Sequence, residues 1–144
     1  IYRVGKTSPA ALALYEHIHG CGLLTACAIM AEMVTIDRFR GKDQLAKYAG
    51  IAPILKSSGS HNRLRTNPFG NRLLNKALHT VALSQIAIKG DARGKQYYQR
   101  KLKEGKTKPW ALRCLKRQLC NLVFQTLKQA EQETKTENVE KTAS

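Results

Sequence analysis

The run LLTACAIMAEMV, Leu23–Val34, constrains the fold more than any other stretch of this chain. It is longer and more evenly apolar than a typical strand, so it predicts a helix that is largely buried. Helical patterns surround it. SPAALALYEHIHG has Ser8 as an N-cap and Pro9 at the first helical position, and KDQLAKYAG reads as a short helix stopped by Gly50. From Asn71 to Lys89, Leu74, Leu78, Val81, Ile86 and Ile88 mark another helix, and ARGKQYYQRKLKEG a shorter one. Pro109 opens the last long helix, with Leu112, Leu115, Leu119, Leu122 and Val123 on one stripe. Between Ile51 and Gly70, Pro53, Ser57, Ser58, Gly59, Asn62, Asn67 and Pro68 predict an irregular loop or a β-hairpin, long enough to suggest a function. After Gln129 the polar AEQETKTENVEKTAS buries too little to fold. The expectation is a mainly α protein: one domain of five or six helices over 1–129 and a disordered polar tail over 130–144.

Charge narrows the partner. The 144 residues hold 25 Lys+Arg against 10 Asp+Glu, a formal net charge of +15. Nearly all of the excess lies between Lys56 and Arg117, where 16 basic residues face two acids, Asp91 and Glu104. Repulsion on this scale asks for a polyanion, and DNA or RNA is the natural one. There is no run of about 18 apolar residues and no signal-peptide pattern, so no membrane partner is expected and the location is read as cytoplasmic, on the nucleoid. A chain that starts IYRVG without Met is read as a piece of something longer. Cys21, Cys27, Cys114 and Cys120 have no zinc-site spacing and read as buried free thiols, so no metal is assigned to this domain.

Three constellations carry possible chemistry. Gly20-Cys21-Gly22, then Ala26 and Ile29-Met30, follow the helix-hairpin-helix spacing G-h-G-x-x-x-A-x-x-h-h. Two glycines permit a tight turn whose backbone N–H groups can face a DNA phosphate without reading sequence; the same residues suit a plain αα-hairpin. Arg72, Lys76 and His79 fall at i, i+4 and i+7 on a face opposite Leu74, Leu78 and Val81, and Arg63 and Arg65 lie just upstream. Tyr97 and Tyr98 between Lys95 and Arg100 suit either base stacking or the core. The stretch LKSSGSHNRLR sets Ser57 and Ser58 among Lys56, His61, Arg63 and Arg65. A hydroxyl nucleophile with arginine stabilisation is one reading, and an ordinary Ser-Gly turn is the other. Asp37, Asp43 and Asp91 are too scattered for a two-metal site.

The segments GCGLLTACAIMAEM, IDRFRGKDQLAKYAGIAP, SSG and FGNRLLNKAL, in this order, resemble the carboxy-terminal domain of the bridge-RNA-guided DEDD-type insertion-sequence transposases, a family that includes the pilin-gene-inverting recombinase. The most specific part is R-F-x-x-x-x-x-L-x-x-Y-A-G-x-x-P over Arg38–Pro53. The resemblance implies a DNA recombinase in two parts: an amino-terminal RuvC-like domain holding Mg, and this helical domain supplying a nucleophilic serine, which matches Ser58. It further implies a guide RNA and a homo-oligomer in the full-length protein. The DNA-binding residues it and the charge pattern suggest are Gly20, Gly22, Lys56, Arg63, Arg65, Asn71, Arg72 and Lys76. Three positions depart from the family pattern: Leu23 for a proline, Asn75 for an arginine, and Pro68-Phe69 for a basic pair. A non-catalytic nucleic-acid-binding module is the alternative reading.

Overall fold

The computed structural model describes residues 8–52, 54–58, 61–65, 69–87 and 92–143, with side chains for all but 54–58, 61–65 and Ala92. These form one mainly helical domain. The helices are α1 (Pro9–His17), α2 (Leu23–Met33), α3 (Lys42–Tyr48), α4 (Arg72–Ile86), α5 (Ala92–Lys103) and α6 (Lys108–Ala143), with a 3-10 turn at Ile36–Arg38. The long loop resolves into an antiparallel ribbon of β1 (Ile54–Ser58) and β2 (His61–Arg65).

The local signals act as their chemistry dictates. Ser8 Oγ accepts the Ala11 N–H at 3.3 Å and Pro9 takes the first helical position. Asn71 Oδ1 accepts the Leu74 N–H at 2.9 Å and caps α4. The apolar run forms α2, which buries Ala26, Ile29 and Met33 against α1 and α4 and leaves Leu24 exposed. α6 is the spine, packed against α1, α3, α4 and α5. Its buried stripe is Ala111, Leu115, Leu119, Cys120, Val123, Thr126 and Leu127, so of the expected stripe Leu122 faces outward. Packing on four neighbours widens the face beyond what the leucines alone mark.

Two boundaries differ from the sequence reading. α4 ends at Ile86, and Ile88 lies outside the described residues. The polar segment from 130 is helical to Ala143, where a disordered tail was expected. Residues 132–143 are all exposed, so this helix is not held by packing. It extends a helix already nucleated, which is far easier than starting one, and Glu131 pairs with Lys128 at 3.9 Å and with Lys135 at 3.3 Å along it.

Cys21 and Cys120 are buried, Cys27 and Cys114 half-buried, and all four are free thiols. Burial pushes the Cys21 thiol to about 11, helped by neighbouring Cys27, and the Cys120 thiol to about 12. Neither is a nucleophile at neutral pH. Among the described residues no helix is long and apolar enough to cross a membrane.

Candidate nucleic-acid interface

The most specific motif of the sequence builds the foot of the β-ribbon. α3 ends at Tyr48, Gly50 follows at φ +71°, and the first leg leaves through Ile51 and Ala52; the second leg returns at Gly70 and Asn71. The two legs touch through glycine. A Cβ on Gly70 would sit 2.1 Å from Gly50 Cα and 2.3 Å from its nitrogen. Across this seam the Asn71 N–H donates to Tyr48 O at 2.7 Å, and Asn75 Nδ2 donates to Ala49 O at 2.8 Å.

Polar and aromatic groups brace the seam from below. Asn71 Nδ2 donates to Glu32 Oε2 at 2.8 Å and to Tyr48 Oη at 3.2 Å, while the Tyr48 hydroxyl donates to Glu32 O at 3.1 Å. The Phe39 and Tyr48 rings lie 5.3 Å apart. Arg38 Cζ stands 5.6 and 5.2 Å from their centroids, and its Nη1 donates to Met33 O at 2.9 Å. Arg38, Phe39, Tyr48, Gly50, Gly70 and Asn71 therefore hold the foot of the ribbon together. Asn71, expected at DNA, spends its side chain inside the fold. Asn71→Ala is expected to lower unfolding stability by about 1–3 kcal/mol, from the lost cap and the broken bridge to Glu32. A urea-denaturation midpoint that does not move would show that the foot is held by something else.

The ribbon pairs Ile54 with Arg65, Leu55 with Leu64, Lys56 with Arg63, Ser57 with Asn62 and Ser58 with His61. Directly paired residues share a face and alternate residues share it too. Ile54, Lys56, Ser58, His61, Arg63 and Arg65 thus belong to one face, and Ser57 belongs to the other with Leu55, Asn62 and Leu64. Composition left the two serines equivalent and the resemblance picked Ser58; strand pairing assigns them to opposite faces.

Beside the foot, the first turns of α4 line a cleft of about 370 Å³ with Ala49, Gly50, Gly70, Arg72, Asn75, Lys76 and His79. Arg72 and Lys76 are exposed and His79 is half-buried, so the predicted basic face exists and lies beside the ribbon foot. Burial, then the Lys116 charge, pushes His79 below its ordinary value. At neutral pH it offers a neutral imidazole rather than a charge. From α6, 41 residues away, Lys116 Nζ donates to Asn75 Oδ1. Burial, then neighbouring Arg113, holds Lys116 below the usual lysine range. Asn75, where the pattern has arginine, carries both this bond and the one to Ala49. No spacing in the sequence pointed to Lys116.

The glycine turn stands apart. It joins α1 to α2, with Gly20 at φ +80° and Gly22 as the N-cap of α2. A Cβ on Gly20 would lie 2.9 Å from Ser84 Cβ, and the Gln85 side chain donates to His19 O at 2.9 Å, so the turn is docked on the far end of α4. Arg72 and Ser84 are twelve positions apart on that helix, about 18 Å at 1.5 Å per residue. Turn and cleft are separate surfaces. Gly22 is exposed and a Cβ added to it would meet nothing within 4 Å, so close packing does not shape the turn there. Tyr97 and Tyr98 are half-buried against the core. Among the described residues no group of three or more His, Cys, Asp or Glu is placed to hold a metal ion.

Residues 12–99 match the family described as Transposase IS116/IS110/IS902. The chain is similar to the uncharacterized 43.6 kDa protein of insertion element IS110 from Streptomyces coelicolor, 34% identical over 110 residues that make up 76% of this chain and 27% of that protein. It is also similar to the uncharacterized 42 kDa protein of insertion element IS900 from Mycobacterium paratuberculosis, 36% identical over 92 residues, 62% of this chain and 22% of that protein. The chain spans about a quarter of the length of these relatives. The matched segment covers α1 through most of α5, including the ribbon and its foot, and on that ground the chain belongs to the transposase IS116/IS110/IS902 family.

Proposed function

We propose that this domain binds DNA for transposition through the ribbon and the adjoining cleft, and that Ser58 is the nucleophile of strand exchange. The observation that carries the reading is the ribbon register, which groups Ser58 with Lys56, His61, Arg63 and Arg65. In the step, the Ser58 oxygen forms a bond to a DNA phosphorus and one bridging oxygen leaves as a free hydroxyl, carrying in the balance the serine's proton. The product is a serine–DNA phosphodiester. Attack by a DNA hydroxyl reverses the step on a new partner and restores Ser58. Charge developing on the phosphate oxygens is what Lys56, Arg63 and Arg65 would offset. Arg72 and Lys76 would hold backbone phosphates on either side, and the Gly20–Gly22 turn would give a second, separate backbone contact. In the full-length protein we propose an amino-terminal RuvC-like domain with Mg, a guide RNA and a homo-oligomer.

A covalent serine–DNA adduct, trapped on a gel and mapped to Ser58 by mass spectrometry, tests the chemistry. A module that only clamps nucleic acid forms none. Binding has its own test, since each phosphate contact contributes about 0.9 to the slope of log K against log salt on duplex DNA. Arg72→Ala with Lys76→Ala is expected to flatten that slope by about 1.8. An unchanged slope would move the duplex away from the cleft.

A further inference from the structure

Also at the ribbon foot lies a second cleft, of about 450 Å³, which neither the sequence motifs nor the proposed strand chemistry uses. Ala49 and Gly50 line the first cleft, while the next two residues, Ile51 and Ala52, line this one. Its walls are two half-buried aromatic rings, Tyr97 from α5 and Trp110 from α6, and Arg113, Arg117 and Lys47 stand around it. Asp43 is the one acid in the lining, and it is paired with Arg117. Arg113 Cζ lies 4.8 Å from the Trp110 ring centroid, and Arg100 Cζ and Lys101 Nζ lie 5.1 and 5.5 Å from that of Tyr97.

We propose that this cleft receives one unpaired nucleotide of a nucleic-acid strand held by the ribbon. Rings beside an apolar floor of Ile51 and Ala52 suit the flat face of a base, and the cations suit its phosphate. A nucleotide carries both chemistries in one ligand, a flat face for the rings and a phosphate for the cationic rim. A paired base presents no free face, so the cleft selects strands that are single or locally opened. Ala49 and Gly50 in the first cleft are followed directly in the chain by Ile51 and Ala52 in the second, so the two clefts are neighbours at the foot. The inference rests on the nucleic-acid reading above and goes beyond it in assigning a base-receiving site.

Trp110 is the only tryptophan of the chain, so its fluorescence reports the cleft directly. The 144-residue chain is titrated with ten-residue oligothymidylate, ten-residue oligouridylate, free thymidine monophosphate and a blunt duplex, with anisotropy of labelled duplex measured in parallel. Saturable quenching by a single strand, absent with the duplex, is the expected result, and the stronger of the two strands identifies DNA or RNA as the source. Tyr97→Leu is expected to weaken single-strand binding about tenfold, the scale of one lost base stack, while Tyr97→Phe, which keeps the ring, binds as the parent does. If Tyr97→Leu does not fold, Lys47→Glu at an exposed position replaces it and is expected to weaken single-strand binding several-fold. Equal quenching by duplex and single strand, free nucleotide binding as tightly as a strand, or unchanged affinity in the folded variant overturns the proposal. Duplex binding without single-strand quenching removes this site alone; loss of both removes the nucleic-acid reading beneath it.

Discussion

Ser58→Ala in the full-length transposase is expected to lower strand exchange by about a thousandfold or more, with DNA binding within a factor of about two of the parent. Removal of a nucleophile leaves only what positioning and charge stabilisation supply, and such losses are commonly of this size. The substitution removes one hydroxyl and no charge, so the cationic residues proposed to attract DNA are kept. At surface positions, where the polar composition of this stretch puts Ser58, a change of this kind alters stability by about 0.5 kcal/mol or less. Ser57→Ala is the internal control. It deletes the same group one residue earlier, but the pairing of Ser57 with Asn62 and of Ser58 with His61 assigns the two serines to opposite faces. Ser57→Ala should therefore retain most of the activity. The assay is recombination of a donor and target plasmid with guide RNA supplied, read beside a gel for protein–DNA adducts. Robust exchange by Ser58→Ala would sink the serine mechanism, and loss confined to Ser57→Ala would move both the nucleophile and the working face of the ribbon.

Gly70→Ala is expected to be strongly destabilising. The added Cβ would stand 2.1 Å from Gly50 Cα, 2.3 Å from Gly50 N and 2.9 Å from the Ala49 carbonyl carbon. All three are backbone atoms, so no side chain can rotate away. Relief requires the two legs of the ribbon to part, which strains the 2.7 Å bond from the Asn71 N–H to Tyr48 O and the 2.8 Å bond from Asn75 to Ala49 O. Overpacking against a rigid neighbour costs about 3 kcal/mol, and more where hydrogen bonds go with it. Gly22→Ala is the matched control: its Cβ meets nothing within 4 Å, and alanine at an N-cap costs about 1 kcal/mol at most relative to glycine. Urea midpoints of the two variants give the comparison. A Gly70→Ala protein as stable as the parent would mean that the legs do not meet as the structure has them.

Much of the helical architecture was legible because helix signals act within about four residues. Ser8-Pro9 starts α1, Asn71 starts α4 and Gly50 stops the chain after α3 through bonds and dihedrals that belong to near neighbours. The shared face of Arg72, Lys76 and His79 followed from the same short period, and the structure lines a cleft with them. The far end of α6 was not legible, because composition reports what a segment can bury and not whether a finished helix will carry it onward. The resemblance singled out Ser58, but only the register of β1 on β2 groups it with the cations, since a slip of one residue would exchange the faces. Packing likewise decided that Asn71 holds Glu32, 39 positions earlier, that Asn75 takes a bond from Lys116, and that Tyr97 and Trp110 line one cleft. Such partners come together because buried surface and unsatisfied polar groups must be matched over the whole molecule at once, a condition that no local window of the sequence can express.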